Sequence, residues 1–129
     1  MTRIRLRDSD DNFKVVNAGS SCDIKATLKD TAGATISSIT SATMDLYRDQ
    51  TAAVINSHSS TDVSAGFSAG MLTIELNASD NVVDTEVTSP NEDELHIARI
   101  TYGWNDASGD ARTNVVELEF FVKRLKTFS

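Results

Sequence analysis

The chain has 129 residues and a mass of 14.0 kDa, enough for one domain with its own core. Twelve basic against nineteen acidic residues leave a net charge of −7, which excludes a nucleic-acid binder that works by neutralising phosphates. The single cysteine, Cys22, excludes an internal disulfide and a cysteine zinc site, and two histidines, His58 and His96, cannot build a His-rich metal cage.

Ser and Thr together make 29 of the 129 residues, whereas Pro occurs once. Thr packs well on a pleated surface and Ser bonds nearby backbone in turns, so the composition leans to β-structure with polar loops. No apolar run reaches the 18 residues a membrane helix needs. The start, Met1 to Asp8, is charged without a following apolar stretch, which predicts a chain used without export.

Arg3, Ile4, Arg5, Leu6 and Arg7 alternate as in a strand, at the head of a basic arm and link over 1–12. Two readings of the arm stand side by side. Its arginines dock on carboxylates of a neighbour, or it is an ordinary first strand with Ile4 and Leu6 in the domain's own core. Residues 22–29 alternate cleanly: Cys22, Ile24, Ala26 and Leu28 point one way, Asp23, Lys25, Thr27 and Lys29 the other. A turn at 30–33 follows, then a strand at 43–48 with Met44 and Leu46 inward and a return strand at 53–56. Residues 57–70 read as a loop, 71–76 as a strand, and 77–84 as a single helical turn capped by Asn77 or Ser79.

The last third is a hairpin, 95–104 and 113–123, turning at 105–110. Apolar parity shifts between Ile97 and Ile100, which means a bulge or burial on both faces. Val116, Leu118, Phe120 and Val122 point inward, Glu117 and Glu119 outward. About seven strands and no long helix predict an all-β fold, an antiparallel β-sandwich spanning 13–123, with an extended N-terminal arm and a basic tail at 124–129. Charge divides the same way: residues 1–7 and 123–129 each carry +3, and the rest carries −13.

Chemical motifs are weak. Gly66-Phe67-Ser68-Ala69-Gly70 matches a nucleophile elbow, but a polar loop precedes Ser68 and a strand follows, the reverse of what the elbow needs. Asp8 to Asn12 opens like a calcium loop, yet Phe13 and Gly19 stand where an EF-hand needs Gly and Glu. Acidic residues in 84–94 leave adventitious calcium open. Asn77-Ala78-Ser79 is a glycosylation sequon with no export signal to give it use. We therefore expect no catalytic residue, no metal and no cofactor.

The segments 24–36, 42–48 and 70–80, the tyrosine strand Ile100-Thr101-Tyr102, and the final strand 113–123 together resemble the immunoglobulin-like domains of tailed-phage virion proteins. The resemblance covers about residues 15–123 as a pattern of residue types. It departs at 37–40 and in the long 84–94 loop. It implies a non-enzymatic virion part, made in the host cytoplasm, that decorates the head as a cement protein or connects head and tail. Its partners would be capsid or tail subunits and further copies of itself, with neither nucleic acid nor membrane involved. Arg3, Ile4, Arg5, Leu6, Arg7, Lys123, Arg124, Lys126 and Phe128 are the expected docking residues. The alternative is a carbohydrate- or host-surface-binding sandwich, using loops 57–70 and 84–94 with Tyr47, Tyr102 and Trp104.

Overall fold

A computed structural model describes residues 2–8, 10–83 and 93–123. The strands are β1 (Thr2–Arg5), β2 (Val15–Asn17), β3 (Cys22–Thr27), β4 (Ser41–Arg48), β5 (Thr61–Asp62), β6 (Phe67–Ser68), β7 (Met71–Leu76), β8 (Asp93–Asn105) and β9 (Ala111–Lys123). Single 3-10 turns lie at Ser64–Gly66 and Ala78–Asp80, and the described residues hold no α-helix. The all-β expectation holds, but with nine strands among the described residues rather than about seven. The extra ones are short: β5 and β6 lie in the segment read as a loop, and the first strand is broken in two. Residues 53–56 form no return strand, only a bridge between Tyr47 and Val54.

Two sheets face each other. The larger runs β1-β9-β8-β4-β5, with β2 also beside β9, and the smaller runs β3-β7-β6. The larger is mixed rather than antiparallel, because β1 and β2 both run parallel to β9. They are one edge strand with a detour. The Leu6 amide donates to the Glu119 carbonyl, Arg7 and Phe13 then bridge each other across a detour, and the Phe121 amide donates to the Lys14 carbonyl as pairing resumes. Asp8 closes the detour by accepting the amides of Asp10 and Asn12, the local turn bonding that aspartate favours.

The β8–β9 hairpin is the spine, in unbroken register from Asp93 opposite Lys123 to Asn105 opposite Ala111. The parity shift is therefore burial on both faces, not a bulge. Ala98, Ile100, Tyr102 and Trp104 enter the core between the sheets with Leu118, Phe120, Ile24, Leu28 and Leu72. Ile97 is fully buried on the opposite face of β8, outside that core. Tyr102 ties the sheets together: its hydroxyl donates to the Lys29 carbonyl at 2.6 Å.

Candidate functional site

The N-terminal strand sits on its own body, so the sheet crosses the expected boundary at residue 12. Leu6 is buried, and Arg3 and Arg5 lie in register beside Glu117 and Glu119 of β9. Both glutamates, which alternation turns away from the core, are 6% exposed, so a layer of side chains covers the outer face of the large sheet. Arg3 reaches Glu117 at 3.4 Å, and Arg5 reaches Glu119 at 3.5 Å. Arg99 of β8 approaches Glu117 at 3.2 Å, and the Tyr47 hydroxyl donates to the same carboxylate.

Burial alone would raise the Glu117 pKa. Hydrogen bonds from Tyr47 and Arg99 and the charges of Arg3 and Arg99 outweigh it, holding the carboxyl below the ordinary glutamate range. Tyr47 moves up, through burial and through its bond to an anion. Sequence parity assigns Glu117 and Glu119 to solvent. The signal it misses is the matching period: arginines at 3 and 5, glutamates at 117 and 119, each spaced by two.

The detour makes this edge apolar as well as basic. Arg5 lies between Phe13, 4.9 Å from the ring centre, and Phe121 at 5.5 Å, while Arg7 lies 4.7 Å from Phe13. Ile4, Phe13 and Val15 remain 40, 44 and 47% exposed, three of the six most exposed large apolar residues described. Beside them a cleft opens between the sheets, lined by Ile4, Ala26, Tyr102, Val116 and Leu118 together with Lys25 and Lys29. Lys123 ends β9 and is exposed. Arg124, Lys126 and Phe128 lie outside the described residues, as do residues 84–92 of the acidic loop.

Two further polar clusters are internal. Asp80, 1% exposed, accepts from Asn56 at 2.7 Å and from the Asn77 amide at 2.7 Å, and lies 2.7 Å from His58 Nε2. Burial opposes its charge, but bonds from Asn56, Asn77 and His58 prevail and lower its pKa. His58 Nδ1 also meets the Thr61 hydroxyl at 3.1 Å. The cluster ties loop 56–61 to the 3-10 turn at Ala78–Asp80.

The second cluster lies at the end of the core. Glu94 Oε1 is 2.7 Å from both Arg48 Nε and His96 Nε2. A carboxylate only accepts, so His96 carries its proton on Nε2. Burial drives the His96 pKa down against the pull of Glu94, and Nδ1 is buried without a partner.

Other sequence candidates fall apart in space. Ser68 ends β6 at a tight turn through Ala69 and Gly70, both with positive φ, and a strand rather than a helix follows. Tyr102 and Trp104 are buried and Tyr47 sits in the ionic layer, so the three make no exposed aromatic platform. Cys22 is half-buried against Asn81, and burial pushes its thiol pKa up, away from reactivity. Among the described residues no group of three or more His, Cys, Asp or Glu could hold a metal ion.

Comparison of the chain with protein-family models, with curated proteins and with solved structures finds no match in any of the three.

Proposed function

We propose that the chain is a non-enzymatic structural subunit of a tailed-phage virion, docking on neighbouring virion proteins through its sheet edges and termini. Its place would be head decoration or a head–tail or tail connection. One observation carries the docking reading. Among the described residues no strand pairs with the outer side of the edge strand β1–β2, which presents Arg7, Phe13, Val15 and Ile4 to solvent.

We read the sandwich as immunoglobulin-like on its strand order. The larger sheet follows the sequence first, last, sixth-type, third-type and short edge strand (A′, G, F, C, C′), and the smaller sheet follows B, E, D. A first strand parallel to the last belongs to the same pattern. The phage assignment draws on the sequence resemblance, and fold likeness alone would not supply it.

Arg3 and Arg5 already pair inside the chain, so they add positive potential rather than free hydrogen-bond donors to a partner. Arg7 pairs with the exposed carboxylate of Asp11, at 3.7 Å, and with no buried one among the described residues, so of the three arm arginines it is the most available for docking. Each exposed ion pair contributes about 0–1 kcal/mol, so firm seating needs the apolar residues and many copies.

The test is co-sedimentation with phage capsids or tails. Wild-type protein should pellet with one of them, and failure to pellet with either sinks the reading. The triple variant Arg7→Glu, Phe13→Ser, Val15→Ser should stay folded, with a cooperative if somewhat lower thermal transition, and lose incorporation. Normal incorporation of that variant removes this edge as the docking surface.

A further inference from the structure

The smaller sheet has an edge of a different kind. β3 is its terminal strand, and among the described residues no strand pairs with its outer side. The Leu28 amide donates inward to the Gly70 carbonyl, and the Leu28 carbonyl accepts from Ile36. Backbone groups alternate along a strand, so those of Asp23, Lys25 and Thr27 point outward. The side chains of these three residues and of Lys29 are exposed, all on the face away from the core. Segment 34–36 returns on the inner side and leaves the outer edge clear.

Charge then decides which partner fits. In antiparallel pairing of two copies of β3 about a two-fold axis, exposed residues meet only exposed residues. An axis at Ile24 sets Asp23 opposite Lys25 of the other copy, twice over. An axis at Ala26 sets Asp23 opposite Lys29, also twice, with Lys25 opposite Thr27. An axis at Lys25 or at Thr27 sets lysine against lysine, which opposes pairing. The β1 edge lacks this property: self-pairing there brings Arg3 or Arg5 against an arginine.

We propose that β3 is a self-docking edge, through which two copies join their three-stranded sheets into one six-stranded sheet, with Asp23 of each copy paired to a lysine of the other. The contact is isologous, the self-complementary kind that closes a two-fold pair. It deepens the reading of the chain as a docking subunit by naming a second copy as one partner, and it leaves the β1–β2 edge free for another. An edge of this size buries little surface, so the association is weak and appears at high protein concentration.

Sedimentation velocity on the purified chain, from micromolar to about 1 mM, tests it, a range chosen because small interfaces bind weakly. The wild type should sediment faster as concentration rises. Asp23→Lys should remain a monomer throughout, with an unchanged thermal transition because Asp23 is exposed. The reversed triple Asp23→Lys, Lys25→Asp, Lys29→Asp should associate again. A wild type that stays monomeric at every concentration overturns the proposal. So does an Asp23→Lys variant that associates like the wild type, or a reversed triple that does not regain association. A monomeric wild type that still pellets with phage particles sinks the self-docking edge and spares the virion reading. A dimer that pellets with neither capsids nor tails does the reverse.

Discussion

Arg3 and Glu117 lie opposite each other on parallel strands, guanidinium to carboxylate at 3.4 Å, although 114 positions separate them. Glu117 is nearly buried while Arg3 is not, its side chain staying 44% exposed. The pair is therefore unequal: loss of the arginine leaves Arg99 and Tyr47 on the carboxylate, whereas loss of the carboxylate takes the acceptor from the Tyr47 hydroxyl and from Arg99, and leaves Arg3 only the more distant Asp49 and Glu119. Glu117→Leu should lower stability in urea by about 1–3 kcal/mol, the usual penalty for unpaired buried polar groups, and Arg3→Ala by about 1 kcal/mol or less. Equal losses from the two variants would contradict this account of the outer face.

Acid should act through the same carboxylate. The folded pKa of Glu117 lies below its unfolded value, so the unfolded chain binds the proton more readily. The stability this group contributes is full above the ordinary glutamate pKa and is lost as pH falls through the depressed one. Asp80 adds a loss of the same sign, in a window starting at the ordinary aspartate pKa. Urea midpoints measured from pH 6 down to pH 3 should fall steeply for the wild type and less steeply for Glu117→Gln. Parallel profiles would remove Glu117 as a source of acid sensitivity.

His96 predicts a separate step at milder pH. Its folded pKa is depressed by burial, so protonation favours the unfolded chain. Stability should be highest above the ordinary histidine pKa of about 6.5 and decline as pH falls from there towards the depressed value. His96→Phe removes the titration and keeps an aromatic ring beside Phe120, which the imidazole meets edge-on at 5.7 Å. The variant's midpoint should be flat between pH 7.5 and pH 5.5 where the wild type declines. A wild-type midpoint that is level across that range would contradict a neutral buried imidazole.

Much of the architecture is written in period two. Strands β3 and β7 follow from Ile24, Ala26, Leu72 and Ile74, and the β8–β9 hairpin follows from its alternating apolar residues and the polar turn that Asp106 and Gly109 close. The outer layer is harder to read, because alternation reports which residues leave the core and says nothing of what else can cover them. Glu117 and Glu119 look solvated until a remote strand lays Arg3 and Arg5 over them. Likewise Asp80 and His58 are ordinary loop residues in sequence, and only the fold brings them within 2.7 Å. The arginine arm was legible as a strand. Which body it would pair with was not, since an edge strand has the same pattern whether its partner is its own sheet or a neighbour's.

Asp80 gives a local prediction. Asp80→Ala deprives Asn56, His58 and the Asn77 amide of one shared acceptor. The expected loss is about 1–3 kcal/mol, since those donors lie in a partly buried site. Amide exchange should quicken around residues 56–61 and 77–81, while β8 and β9 keep their protection. Uniform acceleration across the hairpin would mean that the cluster supports the whole sandwich rather than one loop.

Truncation separates an arm from a strand. A dispensable docking arm could be removed without harm to the body, and deletion of residues 1–7 would affect assembly alone. Here the deletion takes away the parallel ladder from Thr2 to Arg5, the buried side chain of Leu6, and the cations facing Glu117 and Glu119. Burial of one leucine is worth about 1.5–3 kcal/mol, and leaving buried carboxylates with fewer partners adds more. Deletion should therefore lower the thermal midpoint by several degrees or more, as a loss of a few kcal/mol does in a domain of this size. Leu6→Ala alone should account for about 2–5 kcal/mol in urea if the leucine is part of the core. A truncated chain as stable as the wild type would show that residues 1–7 do not hold the sheet, and would return them to the role of a free arm.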